Sequence, residues 1–176
     1  MSETGALVAE AASKSSLLWV RPTPERAWPA WYVWREPSAY VVSGPGEQQL
    51  PPLAGEVDLI LRSKDTWARL LTLRAVATTV APDDPDWPEV ATALKAERLN
   101  APDPDELLGR WAATATITRI TPTGGVIESP GSYDDASGAA APAPSDATTT
   151  RWAPWHVGGR RTTRRNARKI ARRDRE

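Results

Sequence analysis

The stretch WPAWYVW, residues 28–34, decides how this chain folds. It sets Trp28, Trp31 and Trp34 three residues apart, which fits either one face of a helix or the two crowded faces of a buried strand. Pro22, Pro24 and Pro29 argue against a helix across Trp28 to Trp34, because each lacks an N–H and restricts the residue before it. The surroundings are strand-like: SLLWVRP (16–22), AWPAWYVWRE (27–36) and SAYVVSG (38–44) are aromatic and β-branched runs parted by turn residues. EPS (36–38) is short enough for a hairpin turn. On the second strand a period of two puts Trp28, Ala30, Tyr32 and Trp34 on one face and Trp31 and Val33 on the other. Both faces carry aromatic rings, so both are covered, as in a barrel wall whose outer face lies under a subunit or ligand.

Farther along, EVDLILRS (56–63) alternates Val57, Leu59 and Leu61 with Asp58 and Ile60, and RLLTLRAVATTVAP (69–82) reads as a long strand. AATATITRITPTG (112–124) completes about six strands, mostly antiparallel. Two helices interrupt them. DWPEVATALKAERLN (86–100) has Asp86 and Glu89 at capping-box spacing with Pro88 in the first turn, and Asn100 as a stop. DPDELLGRW (103–111) repeats the device with Asp103, Pro104 and Glu106. The expected fold is α+β, a small antiparallel split β-barrel with a few short helices, over residues 1–128.

Beyond residue 128 the composition changes. SPGSYDDASGAAAPAPSDATTT (129–150) holds Tyr133 as its one large side chain, and reads as a flexible Ala/Pro/Ser linker. Residues 151–176 form a basic tail with ten Lys/Arg against Asp174 and Glu176, a net of +8. The first 150 residues hold twelve basic and twenty acidic groups, a net of −8, so the chain's zero net charge averages two opposite parts. Within the tail, Arg160, Arg161, Arg164, Arg165, Arg168 and Lys169 are candidates to meet nucleic acid or another acidic partner. Flexible basic arms neutralise phosphates by counterion release, and Trp152 and Trp155 offer rings for bases to stack on.

Several chemistries are excluded. The chain has no cysteine, so disulfides and thiolate catalysis are absent. Its single histidine, His156, lies in the tail, which removes Ser-His-Asp chemistry and a histidine metal site from the barrel. No apolar run approaches the roughly 18–20 residues of a membrane span, and the first residues lack a basic start and apolar core, so a cytoplasmic protein is expected. SGPGEQQL (43–50) has Gln49 where a dinucleotide loop needs its third glycine, and Pro51 and Pro52 where a helix would start. It is either a turn or a ligand loop. LRSKDTWARL (61–70) gathers Arg62, Lys64 and Arg69 with the hydroxyls of Ser63 and Thr66, which suits a phosphate. Trp67 beside them suits the ring of the same ligand; a solvated hairpin end is the competing reading.

Taken together, SSLLWVRP…RAWPAWYVWREPSAYVVSGPGEQQL…EVDLILRSKD…RLLTLRAVATTVAP resembles the FMN-binding split barrel of the pyridoxamine 5′-phosphate oxidase and flavin reductase-like proteins, in an actinobacterial variant, across residues 6–122. The resemblance implies a homodimer that holds FMN, F420 or occasionally heme at the subunit interface, and a flavoprotein oxidoreductase as the activity. It maps the family's second-strand arginine onto Arg26 and the hydroxyl ending the third strand onto Ser43. The family's Ser-x-Lys phosphate clasp is replaced by Glu47, Gln48 and Gln49, and its later Arg-Gln pair by Arg69, Leu70 and Leu71. The expected cofactor set is therefore Arg26, Ser43, Gln48, Arg62, Ser63, Lys64 and Trp67, with a bound cofactor carrying the redox chemistry. The alternative is a cofactor-free dimerisation module whose basic tail binds nucleic acid or another acidic partner.

Overall fold

Proline and turn residues cut the first half of the chain into short strands, and the computed structural model describes residues 3–22, 26–66 and 68–133. In chain order these form α1 (Glu3–Lys14), β1 (Leu17–Pro22), β2 (Trp28–Trp31), β3 (Val33–Arg35), β4 (Ser38–Ser43), β5 (Gly55–Arg62) and β6 (Arg69–Val80). They continue with α2 (Trp87–Glu97), α3 (Leu107–Thr114) and β7 (Thr116–Glu128). The strands make one 7-stranded sheet in the order β2-β1-β5-β6-β7-β4-β3, and every pairing is antiparallel. Its two edge strands, β2 and β3, are consecutive in sequence and parted by Tyr32 alone. The ends of the sheet thus meet at one residue, and the sheet has to curl. The expected α+β split barrel is the observed architecture, a curled antiparallel half-barrel with three short helices.

The opening stretch is therefore strand, broken at Tyr32 rather than running continuously from 27 to 36. Its two faces divide as the period of two requires. Ala30 and Tyr32 are buried inside the curl, where Trp28 and Trp34 pack beside Leu18, Val20, Leu59, Leu61, Leu71 and Leu73. Trp31 and Val33 pack on the other side with Tyr40, Val42, Val80, Leu94, Trp111 and Ile117. That second face was expected under a subunit or ligand. It lies instead in the core that α2 and α3 bury through Val90, Ala91, Leu94, Leu107 and Trp111.

β3 and β4 form the expected hairpin, with Arg35 opposite Ser38 and a cis Glu36–Pro37 bond in the turn. β5 and β6 pair from Gly55↔Ala77 to Arg62↔Arg69, with an irregularity at Leu61/Arg62. α1 had no counterpart in the sequence reading; it packs Ala11 and Ala12, with Leu7 and Val8, into the inner core.

Both helix starts depart from the expected capping. Asp86 and Glu106 precede α2 and α3 without a side-chain cap hydrogen bond. Asp86 instead accepts from Arg119 on β7 at 2.7 Å, and Glu89 pairs with Arg35 on β3. Asp103 lies outside α3 and accepts from Arg110 at 2.6 and 3.0 Å. These acids are ion-pair partners rather than caps, Asp86 and Glu89 across the fold and Asp103 with Arg110 seven positions on. The last strand also starts later than expected, at Thr116, because α3 runs on to Thr114.

Candidate functional site

The turn from β5 to β6 is built by hydroxyl oxygens. Ser63 N–H donates to the Ala68 carbonyl at 2.8 Å, Thr66 N–H to Ser63 Oγ at 3.2 Å, and Ala68 N–H to Thr66 Oγ1 at 3.4 Å. Both hydroxyls thus accept from the backbone while keeping a proton of their own to donate. Lys64 is exposed beside them. Arg62, half-buried at the end of β5, donates from Nε to Ser15 Oγ at 3.3 Å. Arg69 on the opposite strand is taken up by Glu128 at 3.1 Å, and its guanidinium lies over the Tyr133 ring at 5.5 Å. Trp67, expected as the ring-facing member of this site, lies outside the described residues, as do the six tail cations from Arg160 to Lys169.

Gln48 sits where the sheet's edges meet. Trp31 N–H donates to its Oε1 at 2.9 Å, and its Nε2 donates to the carbonyls of Trp31 and Val42, both at 3.0 Å. One amide thus ties the end of β2 to β4, the strand next to the opposite edge of the sheet. This seam also reaches Arg62: Trp31 pairs with Leu17, whose carbonyl accepts from Ser15, the hydroxyl that Arg62 holds. Ser43, half-buried, ends β4 opposite Thr116.

Arg26 stands apart from this group. Its guanidinium stacks on the Trp28 ring at 3.9 Å. Since Trp28 pairs with Val20 and Trp31 with Leu17, Arg26 lies past the far end of β1 from Arg62. At about 3.3 Å per residue the length of β1 separates them by roughly 16 Å. Within one chain the structure joins Gln48 and the Arg62 turn along the seam, and it does not bring Arg26 to them.

One enclosed carboxylate is a group that sequence reading passed over. Glu47 has a fully buried side chain. Its carboxylate accepts from Arg98 Nε at 2.7 Å, Arg110 at 3.2 Å and Trp111 Nε1 at 3.0 Å. Arg110 also binds the carbonyl of Pro45 at 3.0 Å, and its hydrogen bonds hold the Asp103 carboxyl below the usual carboxylate range. The loop can approach α3 this closely because residue 44 is glycine. Its φ is 137°, and a Cβ there would meet the Thr114 carbonyl oxygen at 3.0 Å. SGPGEQQL is thus a turn, closed by Glu47 N–H donating to the Gly44 carbonyl at 3.0 Å. No local signal marks Glu47, since Arg98 and Arg110 follow it by 51 and 63 positions.

Among the described residues no helix is long and apolar enough to cross a membrane. No protein-family model and no curated protein matches the sequence. Solved structures similar to this chain include HutZ, the heme storage protein from Vibrio cholerae, at 19% identity and a TM-score of 0.46, covering 69% of this chain and 91% of that one. The FAD binding protein from Mycobacterium smegmatis is similar at 18% identity and a TM-score of 0.47, covering 72% of this chain and 94% of that one.

Proposed function

We propose that this chain binds a flavin or deazaflavin, FMN or F420, as a homodimeric split-barrel protein. Fold alone carries no activity, so the reading stands on one observation. In the β5–β6 turn the N–H groups of Ser63, Thr66 and Ala68 are paired within the turn, and the Arg62 guanidinium, which also holds Ser15, stands at the same strand end as the exposed Lys64 and the hydroxyls of Ser63 and Thr66. Those groups suit a phosphate, whose charge-assisted hydrogen bonds are among the strong ones. A bound flavin or deazaflavin supplies hydride-transfer chemistry, and the protein's part is to hold and orient it. Arg62, Ser63 and Lys64 would take the phosphate. Arg26, roughly 16 Å away along β1, would serve the same ligand from the second subunit. Titrating FMN and F420 onto the purified protein tests this reading. Saturable quenching of fluorescence by one of them is expected, and no titratable binding of either contradicts it.

A second reading makes the barrel a cofactor-free dimerisation module. The specific observation in its favour is that Glu47 and Gln48, standing where the resemblance places a phosphate clasp, both turn their side chains to partners within the chain. Under that reading, replacing Arg62 and Lys64 with alanine leaves all ligand behaviour unchanged.

A further inference from the structure

We infer that the pocket formed by Arg98, Arg110 and Trp111 is an oxyanion-binding site whose ligand is this chain's own Glu47 carboxylate. The pocket is a receptor by construction. Two guanidinium groups and an indole N–H converge on one carboxylate at 2.7, 3.2 and 3.0 Å, and that carboxylate is shut from solvent. The donors come from outside the loop they hold. Arg98 ends α2, Arg110 and Trp111 lie on α3, and Glu47 arrives on the Gly44–Gln49 turn. A second set of contacts fixes the cationic wall independently of Glu47. Arg110 is paired with Asp103 at 2.6 Å, and Arg98 bonds the Leu99 carbonyl. The wall therefore persists when the carboxylate is removed, and two partly buried cations left facing each other without their anion are unfavourable.

Glu47 and Gln48 are adjacent, and their side chains serve different partners, Glu47 the helices and Gln48 the seam at Trp31. Filling the pocket with an internal anion thus sets the position from which Gln48 ties the sheet's edges. A free phosphate or carboxylate takes the enclosed position between Arg98, Arg110 and Trp111 only by displacing Glu47. This site is separate from the β5–β6 turn, and the inference holds whichever reading of that turn is right.

The test is rescue by a small anion in the full chain. Glu47→Ala vacates the pocket, whereas Glu47→Gln fills it with a neutral amide. Thermal unfolding is followed in sodium formate and in sodium chloride of equal ionic strength. Formate is expected to raise the midpoint of Glu47→Ala saturably, by roughly 5 °C at ten times its dissociation constant. It should leave the wild type and Glu47→Gln at their chloride values. Should Glu47→Ala fail to accumulate as folded protein in chloride, the refolding yield in formate against chloride gives the same reading. Equal behaviour of Glu47→Ala in the two salts overturns the inference, as does an equal formate response in Glu47→Gln.

Discussion

Tyr32, the residue at which the two sheet edges meet, donates its hydroxyl to the Ala12 carbonyl at 2.6 Å. That carbonyl belongs to the last turn of α1, where the helix offers it no partner of its own. One phenol therefore joins the seam to the helix that fills the inner core. Burial pushes the Tyr32 hydroxyl from 10.0 up to about 12, with Arg62 offsetting part of the rise. Because the folded state keeps the proton that the unfolded chain gives up, this contribution is whole below about pH 10 and is lost as pH climbs towards 12. Tyr32→Phe is expected to cost about 1–3 kcal/mol at neutral pH through the orphaned carbonyl, and to flatten the alkaline decline. Urea unfolding at neutral pH and again between pH 10 and 12 checks both. Gln48 makes a sharper test of the seam. Gln48→Glu keeps the shape but turns a donor of two hydrogen bonds into an acceptor facing two carbonyls. A loss of about 2 kcal/mol or more is expected in the same experiment; a neutral substitution would mean the seam is held by other contacts.

Among the elements, the inner core accepts α1 only where its side chains are small. Ala11 and Ala12 are 7% and 1% exposed against the leucines of β1, β5 and β6. Ala12→Leu overfills that contact, and a destabilisation of about 1–3 kcal/mol is expected, with faster amide exchange across Glu3–Lys14. On the outer core Leu94 of α2 is fully buried, and Leu94→Ala should cost about 2–5 kcal/mol through the cavity it leaves. The strands were legible because period-two alternation survives local reading: Val57, Leu59 and Leu61 face the core as their spacing requires. α1 was not, since its contact surface is largely alanine and carries little hydrophobic contrast. The caps misled for a different reason. Asp86, Glu89 and Asp103 have the composition of helix starts, but the partners of the first two, Arg119 and Arg35, are set by tertiary approach, and Asp103 takes Arg110 seven positions on instead of the helix N-terminus. Of the site, the Arg62–Thr66 turn was visible as a local cluster of cations and hydroxyls. The Glu47 pocket was not, because nothing within the turn announces donors carried by α2 and α3.

For the whole molecule, closing a sheet at Tyr32 with a glutamine tie gives a barrel wall whose strand ends carry the cations. The opposite charges of the two parts of the chain, −8 over residues 1–150 and +8 over 151–176, lead to a separate expectation. The basic tail lies outside the described residues. We propose that it gives weak, sequence-independent nucleic-acid binding at low salt, weakened steeply as salt rises. Deleting residues 151–176 should abolish such binding; binding that survives the deletion would place it on the barrel. The central claim, that the β5–β6 turn takes the phosphate of a flavin or deazaflavin, is tested most directly by comparing FMN and F420 titrations of the wild type and of Arg62→Ala with Lys64→Ala. At about 1.5–3 kcal/mol per charged hydrogen bond, the double variant should bind at least about 100-fold more weakly while unfolding at a similar temperature. Equal affinities in the two proteins would contradict the account.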